Sequence, residues 1–313
     1  MKREGGDVAN PATIVLFAYR RLAHLERTMK ALARNKLANA SELVVYSDGW
    51  KSASDRADVE RVRAFLAEVK GFRSVSVVAR ERNYGLGNNI IAGVTETTMR
   101  CDKVIVLEDD LVTSPHFLQY MNDGLGIYER DDRVISIHGY SYPVHGKLPE
   151  TFFLRGADCL GWATWKRGWD LFEDDGQRLL NELERRNLTR SFDFDGSYPY
   201  TQMLRDQIAG SNSSWAVRWY ASAFLRDKLT LYPGQTLVSH IGYDTGTNFG
   251  RSRRKPEQLA SKQICVVPME PKEDMNARAT TSSYLQKLKG GLMKSGLRRV
   301  KTLTRKIGRL QKE

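Results

Sequence analysis

Apolar positions in the first third of the chain alternate between two periods. Thr13-Ile-Val-Leu-Phe-Ala-Tyr19 is a short β-rich run after Pro11, and from Leu22 to Leu37 the apolar spacing is helical, at Leu22, Leu25, Met29 and Leu32. Leu43-Val-Val-Tyr46 reads as a second strand ending at Ser47-Asp48-Gly49. Asp55 to Val69 places Val59, Val62, Leu66 and Val69 on one helical face. Val75-Ser-Val-Val78 predicts a third strand, Asn88 to Thr98 a third helix, and Val104-Ile-Val-Leu107 a fourth strand running into Glu108-Asp109-Asp110. This β-α-β-α-β-α-β order predicts an α/β fold with a mostly parallel sheet flanked by helices.

The second half is less regular. Val134-Ile-Ser-Ile137 and Leu229-Thr-Leu-Tyr232 predict strands, and Tyr200 to Ile208 and Trp215 to Arg226 predict helices. Thr236 to Phe249 is Gly-rich, and no internal repeat is visible. Residues 1–267 are expected to form one domain, with halves of about 11–112 and 113–267, followed by a polar linker over 268–283 and a tail over 284–313.

Charge changes the picture only at the end. Of a net charge of +12, the segment from Tyr284 to Glu313 supplies nine, from ten Lys/Arg against one Glu. The main domain is close to balanced, which counts against a nucleic-acid-binding surface and against nucleic acid as a partner. In the tail Leu297, Val300, Leu303, Ile307 and Leu310 fall three or four apart among basic residues, the pattern of an amphipathic helix for an anionic membrane surface. A solvated or docked charged helix would share that pattern. Cys101, Cys159 and Cys265 are widely spaced and odd in number, so neither a disulfide framework nor a CxxC zinc site is implied. The amino terminus lacks a signal-peptide apolar stretch, and no run is long enough to span a bilayer. The expected location is cytoplasmic, peripheral on the cytosolic membrane face.

In doubly wound sheets ligands bind beyond the carboxyl ends of the strands. Those ends carry Tyr19-Arg20-Arg21, Asp48-Gly49, Arg80 to Asn89 and Glu108 to Asp110. Adjacent carboxylates favour a hard cation, Mg²⁺ or Mn²⁺, that bridges protein oxygens to a diphosphate. An acidic turn ahead of Thr113-Ser114-Pro115 is the alternative. Asn83-Tyr84-Gly85-Leu86-Gly87-Asn88-Asn89 opens a helix whose amides could approach phosphate or sugar, or it is a plain loop. Asp48 could accept hydrogen bonds from a base or ribose, or cap a turn. Trp162, Trp165 and Trp169 offer sugar-stacking faces or a core stripe. His240 could complete a metal site or be structural.

Taken in order, Phe17-Ala-Tyr-Arg20, Tyr46-Ser-Asp48-Gly49, Arg80 to Asn89 and Val104 to Leu111 resemble the GT-A glycosyltransferases, broadly those of family 2. The pattern looks closest to N-acetylglucosaminyltransferases that modify N-glycan mannose, and to bacterial sugar transferases with a Glu-Asp-Asp motif. It continues through Gly161-Trp162, Trp215 to Arg218 and Val238-Ser-His240, covering about Thr13 to Gly250. The resemblance implies hexosyl or N-acetylhexosaminyl transfer from a nucleotide-sugar donor, commonly UDP-linked, with Mn²⁺ or Mg²⁺. It implies a glycan or lipid-linked acceptor of the cell envelope.

Carried over, Phe17, Tyr19 and Arg20 would line the nucleotide site and Asp48 would meet the base. Arg80, Asn83, Gly85, Gly87 and Asn88 would contact ribose or sugar. Asp110 would ligate the metal, with His240, while Glu108 and Asp109 lie nearer the sugar and ribose. Trp162, Trp165 and Trp215 would face the acceptor. One departure stands out: relatives carry an acidic base just after the tryptophan matching Trp215, where this chain has Ala216. Asp206, Asp244 and Asp158 are the alternatives for that base. A metal-dependent nucleotidyltransferase, or a degenerate nucleotide-sugar-binding protein without turnover, are the competing expectations.

Overall fold

The structure, a computed structural model, describes residues 10–144, 146–243 and 256–289. Its first part follows the predicted alternation: β1 (Thr13–Ala18), α1 (Leu22–Leu32), β2 (Glu42–Ser47), α2 (Arg56–Ala67), β3 (Ser74–Ala79), α3 (Leu86–Thr98) and β4 (Lys103–Glu108). β5 (Leu111–Thr113), α4 (Phe117–Ile127), β6 (Val134–His138) and β7 (Thr151–Arg155) come next. β8 (Trp162–Trp165), α5 (Lys166–Trp169), α6 (Gly176–Arg185), α7 (Thr189–Phe192), α8 (Tyr200–Ile208), α9 (Ala216–Leu225), β9 (Leu229–Pro233) and β10 (Val238–His240) complete the named elements.

Eight strands form one sheet in the order β3-β2-β1-β4-β8-β6-β9-β7. β1 to β4 are parallel, with β1 between β2 and β4. β1 is buried at every position, as a central strand covered on both faces must be. β3 closes the edge and is largely exposed, which matches its alternation with serine. The strand order reverses between β1 and β4, which opens a crevice beyond their carboxyl ends.

Beyond β4 the directions mix. β8 runs antiparallel to both β4 and β6, with Val106 opposite Trp162 and His138 opposite Trp162. β9 is parallel to β6, and β7 is antiparallel to β9. Because β8 runs backwards, its amino end lies at the carboxyl ends of β4 and β6. The residues just before Trp162 are therefore delivered to the same edge as Glu108. β10 pairs antiparallel with β5, His240 opposite Leu111, and brings a late segment back over the acidic cluster.

Two expectations are corrected here. Trp162 and Trp165 lie on a strand, not on the helical stripe their spacing suggested. The two-residue period sends them into the two apolar layers on opposite sheet faces, each about 1% exposed. Residues 268–283 are not a linker throughout, since 275–289 are helical. Asp274 caps that helix, accepting from the amides of Asn276 and Ala277 at 2.9 Å each. Arg278, 6% exposed at its side chain, pairs with Glu273 at 3.1 Å and Asp195 at 3.3 Å, donates to the Ser191 carbonyl at 2.9 Å, and covers the Phe194 ring. Leu285 is buried in the layer that contains α6, α8 and α9. The basic amphipathic segment expected after residue 289 lies outside the described residues.

Candidate active site

The acidic cluster sits at the crevice. Asp109 and Asp110 are 4% exposed, and Glu108 keeps partial access to the cleft. Such crowding of carboxylates needs positive charge. Arg21 supplies it: one guanidinium nitrogen, Nη2, meets Asp109 and lies 2.8 Å from Asp110 Oδ2. His240 Nε2 is 3.2 Å from the same Asp110 oxygen. Burial drives the Asp110 carboxyl up, but His240 and Arg21 outweigh it and the net shift is downward. Burial dominates at Asp109, whose pKa is raised. At Glu108 burial, helped by the charges of Asp110 and Asp109, pushes the carboxyl to about 8. Gly242 closes over this group. A Cβ there would collide with Asp110 Oδ2 and approach Arg21 Nη1 to 2.9 Å, so only glycine allows the approach.

The residues fit a divalent cation in part. Asp110 Oδ2 and His240 Nε2 touch each other at 3.2 Å, so a cation would have to enter between an oxygen and a nitrogen that now pair, and an ion of this type would take its remaining ligands from diphosphate and water. Among the described residues no group of three acidic, histidine or cysteine side chains converges to hold a metal unaided.

The donor-side residues divide. Tyr19 stands at the rim, where its hydroxyl donates to Asp55 at 2.8 Å and accepts from the Lys51 amide at 3.0 Å. Arg20 pairs with Asp55, not with the cluster, and its side chain is half-exposed. Asp48 is 4% exposed and committed to the loop. Its Oδ1 accepts from the amides of Gly49 at 2.9 Å and Tyr84 at 2.8 Å, and its Oδ2 from the Gly85 amide at 3.0 Å and Asn83 Nδ2 at 3.1 Å. Four donors fill the carboxylate, so it shapes the Asn83–Gly85 loop and has no oxygen left for a base. Gly85, at φ 74°, turns that loop into α3, and Asn88 Nδ2 donates to the Tyr84 carbonyl at 3.1 Å. Gly87 packs against the Ser213 carbonyl, which draws the second half of the chain onto the donor loop.

Phe17 and Arg80 are packing residues. Phe17 is 2% exposed and stacked on Tyr46 at 5.4 Å between ring centres. Arg80 lies over the Tyr46 and Tyr84 rings, donates to Asn89 at 3.1 Å and pairs with Glu96 at 3.0 Å. Trp215 is 4% exposed and joins Trp162, Trp169 and Trp219 in one aromatic layer. The three tryptophans expected to face an acceptor are thus core residues, with no open ring face.

The candidate bases separate. Asp206 lies on α8, and Gln202 Nε2 donates to it at 2.8 Å on an exposed helical turn. That helix packs with α6 and α9. Asp244 lies outside the described residues. Asp158 lies in the stretch that β8 delivers to the carboxyl end of β4. The neighbouring Cys159 thiol, pushed up chiefly by burial, also senses the charges of Asp158 and Glu108. Asp158 Oδ2 accepts from the Tyr142 hydroxyl at 2.6 Å, and Oδ1 accepts from the Cys159 amide at 2.8 Å. His138, fully buried, is 3.8 Å from Asp158 and accepts from the Leu160 amide at 3.1 Å; burial lowers its pKa. The C-terminal helix completes the wall, with Tyr284 against Tyr142 at 5.8 Å.

Sequence reasoning missed Arg21, Tyr142 and Glu257 as site residues. Arg21 stood in a noted polar strand end, one residue past the Arg20 chosen. Tyr142 carried no local signal. Glu257 accepts from Ser239 Oγ at 2.9 Å, the His240 amide at 3.2 Å and the Tyr243 hydroxyl at 3.1 Å, and so fixes β10.

Against this geometry, the model of glycosyl transferase family 2 matches residues 13–184, just over half of the chain. The chain belongs to that family: it is a nucleotide-sugar glycosyltransferase with the GT-A architecture. Among solved structures it is similar to a mannosyltransferase from Pyrobaculum calidifontis in complex with GDP-Man and Mn²⁺, at 10% identity and TM-score 0.35 over 70% of each chain. It is also similar to TarS of S. aureus, at 15% identity and TM-score 0.31 over 47% of this chain and 25% of that one. No curated protein sequence matches.

Proposed function

We propose that the chain transfers a hexosyl or N-acetylhexosaminyl group from a UDP-linked donor to a hydroxyl of a glycan or lipid-linked acceptor of the cell envelope. Asp158 acts as the base, and Asp110 and His240 hold Mn²⁺ or Mg²⁺. The observation that supports this reading is the reversed β8, which brings the segment holding Asp158 to the carboxyl ends of β4 and β6. The acceptor oxygen forms a bond to the anomeric carbon as the bond to the diphosphate breaks. The acceptor proton passes to Asp158 and the nucleoside diphosphate departs. One displacement with one base inverts the anomeric centre. A bound cation offsets negative charge growing on the departing diphosphate. Tyr142 holds the Asp158 carboxylate in orientation for the acceptor hydroxyl.

The departure at Ala216 motivates a reading without turnover, and an alternative base at Asp158 removes its main support. Family membership weighs against a nucleotidyltransferase. No helix among the described residues is long and apolar enough to cross a membrane, and we keep the basic tail as the membrane contact on the cytosolic face. The test is a thermal-shift screen of nucleotide sugars with and without Mn²⁺, on the parent and on Asp110→Ala. Donor stabilisation that needs Mn²⁺ and vanishes in the variant is expected; metal-independent binding would sink the role of Asp110. For the tail, deleting residues after Lys289, which keeps the docked helix, should abolish co-sedimentation with anionic vesicles. Undiminished co-sedimentation refutes the membrane contact.

A further inference from the structure

We infer that Arg21 is a built-in counter-cation of the acidic cluster, exclusive with a divalent cation at Asp110, and that it thereby couples cation binding to donor binding. The inference rests on the reading of Asp110 and His240 as cation ligands.

Arg21 joins β1 to α1, and its carbonyl accepts from the Leu25 amide at 3.0 Å, so its backbone is fixed at the strand end. Its guanidinium contacts both aspartates through Nη2. The side chain is 25% exposed, while those of Asp109 and Asp110 are 5% and 6% exposed. Arg21, His240 and Gly242 all converge on Asp110 Oδ2. A divalent cation at that oxygen cannot share it with a guanidinium, because like charges at contact distance in a poorly solvated site repel strongly.

Displacement is uneven for the two partners. The carboxylates exchange one cation for another and remain compensated. The guanidinium loses its Asp110 partner, which is unfavourable for a group with limited solvent access. A diphosphate arriving at the same crevice supplies a new anion, and guanidinium is well shaped for phosphate oxygens. The cation alone must therefore evict Arg21 without compensation, whereas cation and diphosphate together do not. By linkage, the diphosphate strengthens cation binding, and the reverse, by the same factor. Premature loading with metal is held back by a residue that later serves the donor.

The test is a Mn²⁺ titration followed by electron paramagnetic resonance of the free ion, with and without saturating UDP. Arg21→Met is expected to bind Mn²⁺ alone roughly tenfold more tightly than the parent, and UDP should enhance its Mn²⁺ affinity about tenfold less. Arg21→Lys keeps a cation and should behave like the parent. Should the methionine variant not fold, Arg21→Gln replaces it. Unchanged or weaker Mn²⁺ binding in the neutral variant overturns the inference, as does a lysine variant indistinguishable from it. Asp110→Asn separates the two levels. If it leaves Mn²⁺ binding intact, the ligand assignment fails and this inference with it. If it abolishes binding while the neutral variant shows no tightening, only the counter-cation role falls.

Discussion

The two halves of the sheet deliver polar groups to one edge by different means. In β1 to β4 every strand runs the same way, so each carboxyl end adds its own loop to the crevice: Tyr19 to Arg21, Asp48, Asn83 to Gly87 and Glu108 to Asp110. In β6 to β9 the directions mix, and the base we propose arrives just ahead of a strand's beginning. Asp158 reaches the crevice because β8 runs backwards between β4 and β6. The first half is local in sequence, since each loop follows directly from its strand. The second half is non-local: Asp158 and Tyr284 meet Tyr142, and Glu257 meets Tyr140, only through long-range pairing. A polar residue after an apolar strand is therefore a usable signal for the first half and a poor one for the second.

The sharpest way to break this comparison is Asp158→Asn. Turnover should fall roughly 10²- to 10⁴-fold, with nucleotide-sugar binding by thermal shift unchanged. Full activity in this variant would return the base to Asp244 or another acid. The tryptophans come next. Trp162→Ala should destabilise the fold by about 3–5 kcal/mol in denaturant unfolding, because it empties a buried site shared with Trp169, Trp215 and Trp219. In the milder Trp165→Phe the acceptor KM should stay at the parent value; a raised KM in a stable protein would restore a stacking role.

Asp48→Asn distinguishes a loop organiser from a base contact. An amide cannot accept from all four donors that fill the carboxylate, so the loss should be about 1.5–3 kcal/mol of stability. Donor affinity should weaken equally for nucleotides of different bases; a change in base preference instead would bring back direct recognition. The smallest effect concerns His138. Its folded pKa is lowered by burial, so the unfolded chain binds the extra proton first as pH falls through its unfolded value, about 6.5. This group then lowers stability by at most about 1.4 kcal/mol per pH unit, down to its folded pKa. Midpoints of denaturant unfolding between pH 7 and 5 should slope less in His138→Gln, and an unaltered slope would place the acid sensitivity elsewhere.

Legibility followed the same division. Strand and helix periods located β1 to β4 and α1 to α3 within a few residues, because buried parallel strands are apolar throughout and their helices are amphipathic. α1 ended at Leu32, short of the expected Leu37, as the chain turns through Asn35, whose side chain is tied to the Leu32 carbonyl and to Thr113. β5, α4, β7 and α6 carried signals too short or too mixed to read. At the site, the acidic cluster and His240 were visible as residue types, but the placement of Arg21 on them was not.

By itself the sequence determined the alternating α/β order, the acidic turn after the fourth strand, and the concentration of basic charge in the last thirty residues. These are properties of contiguous segments, set by periodicity and by the cost of burying unpaired charge. The tertiary structure decided which tryptophans are core, that Asp48 serves its own loop, that Arg21 neutralises Asp109 and Asp110, and that Asp158 pairs with Tyr142 beside the carboxyl end of β6. Each depends on strand direction and long-range packing, and a single reversed strand changes which end of a segment reaches the crevice.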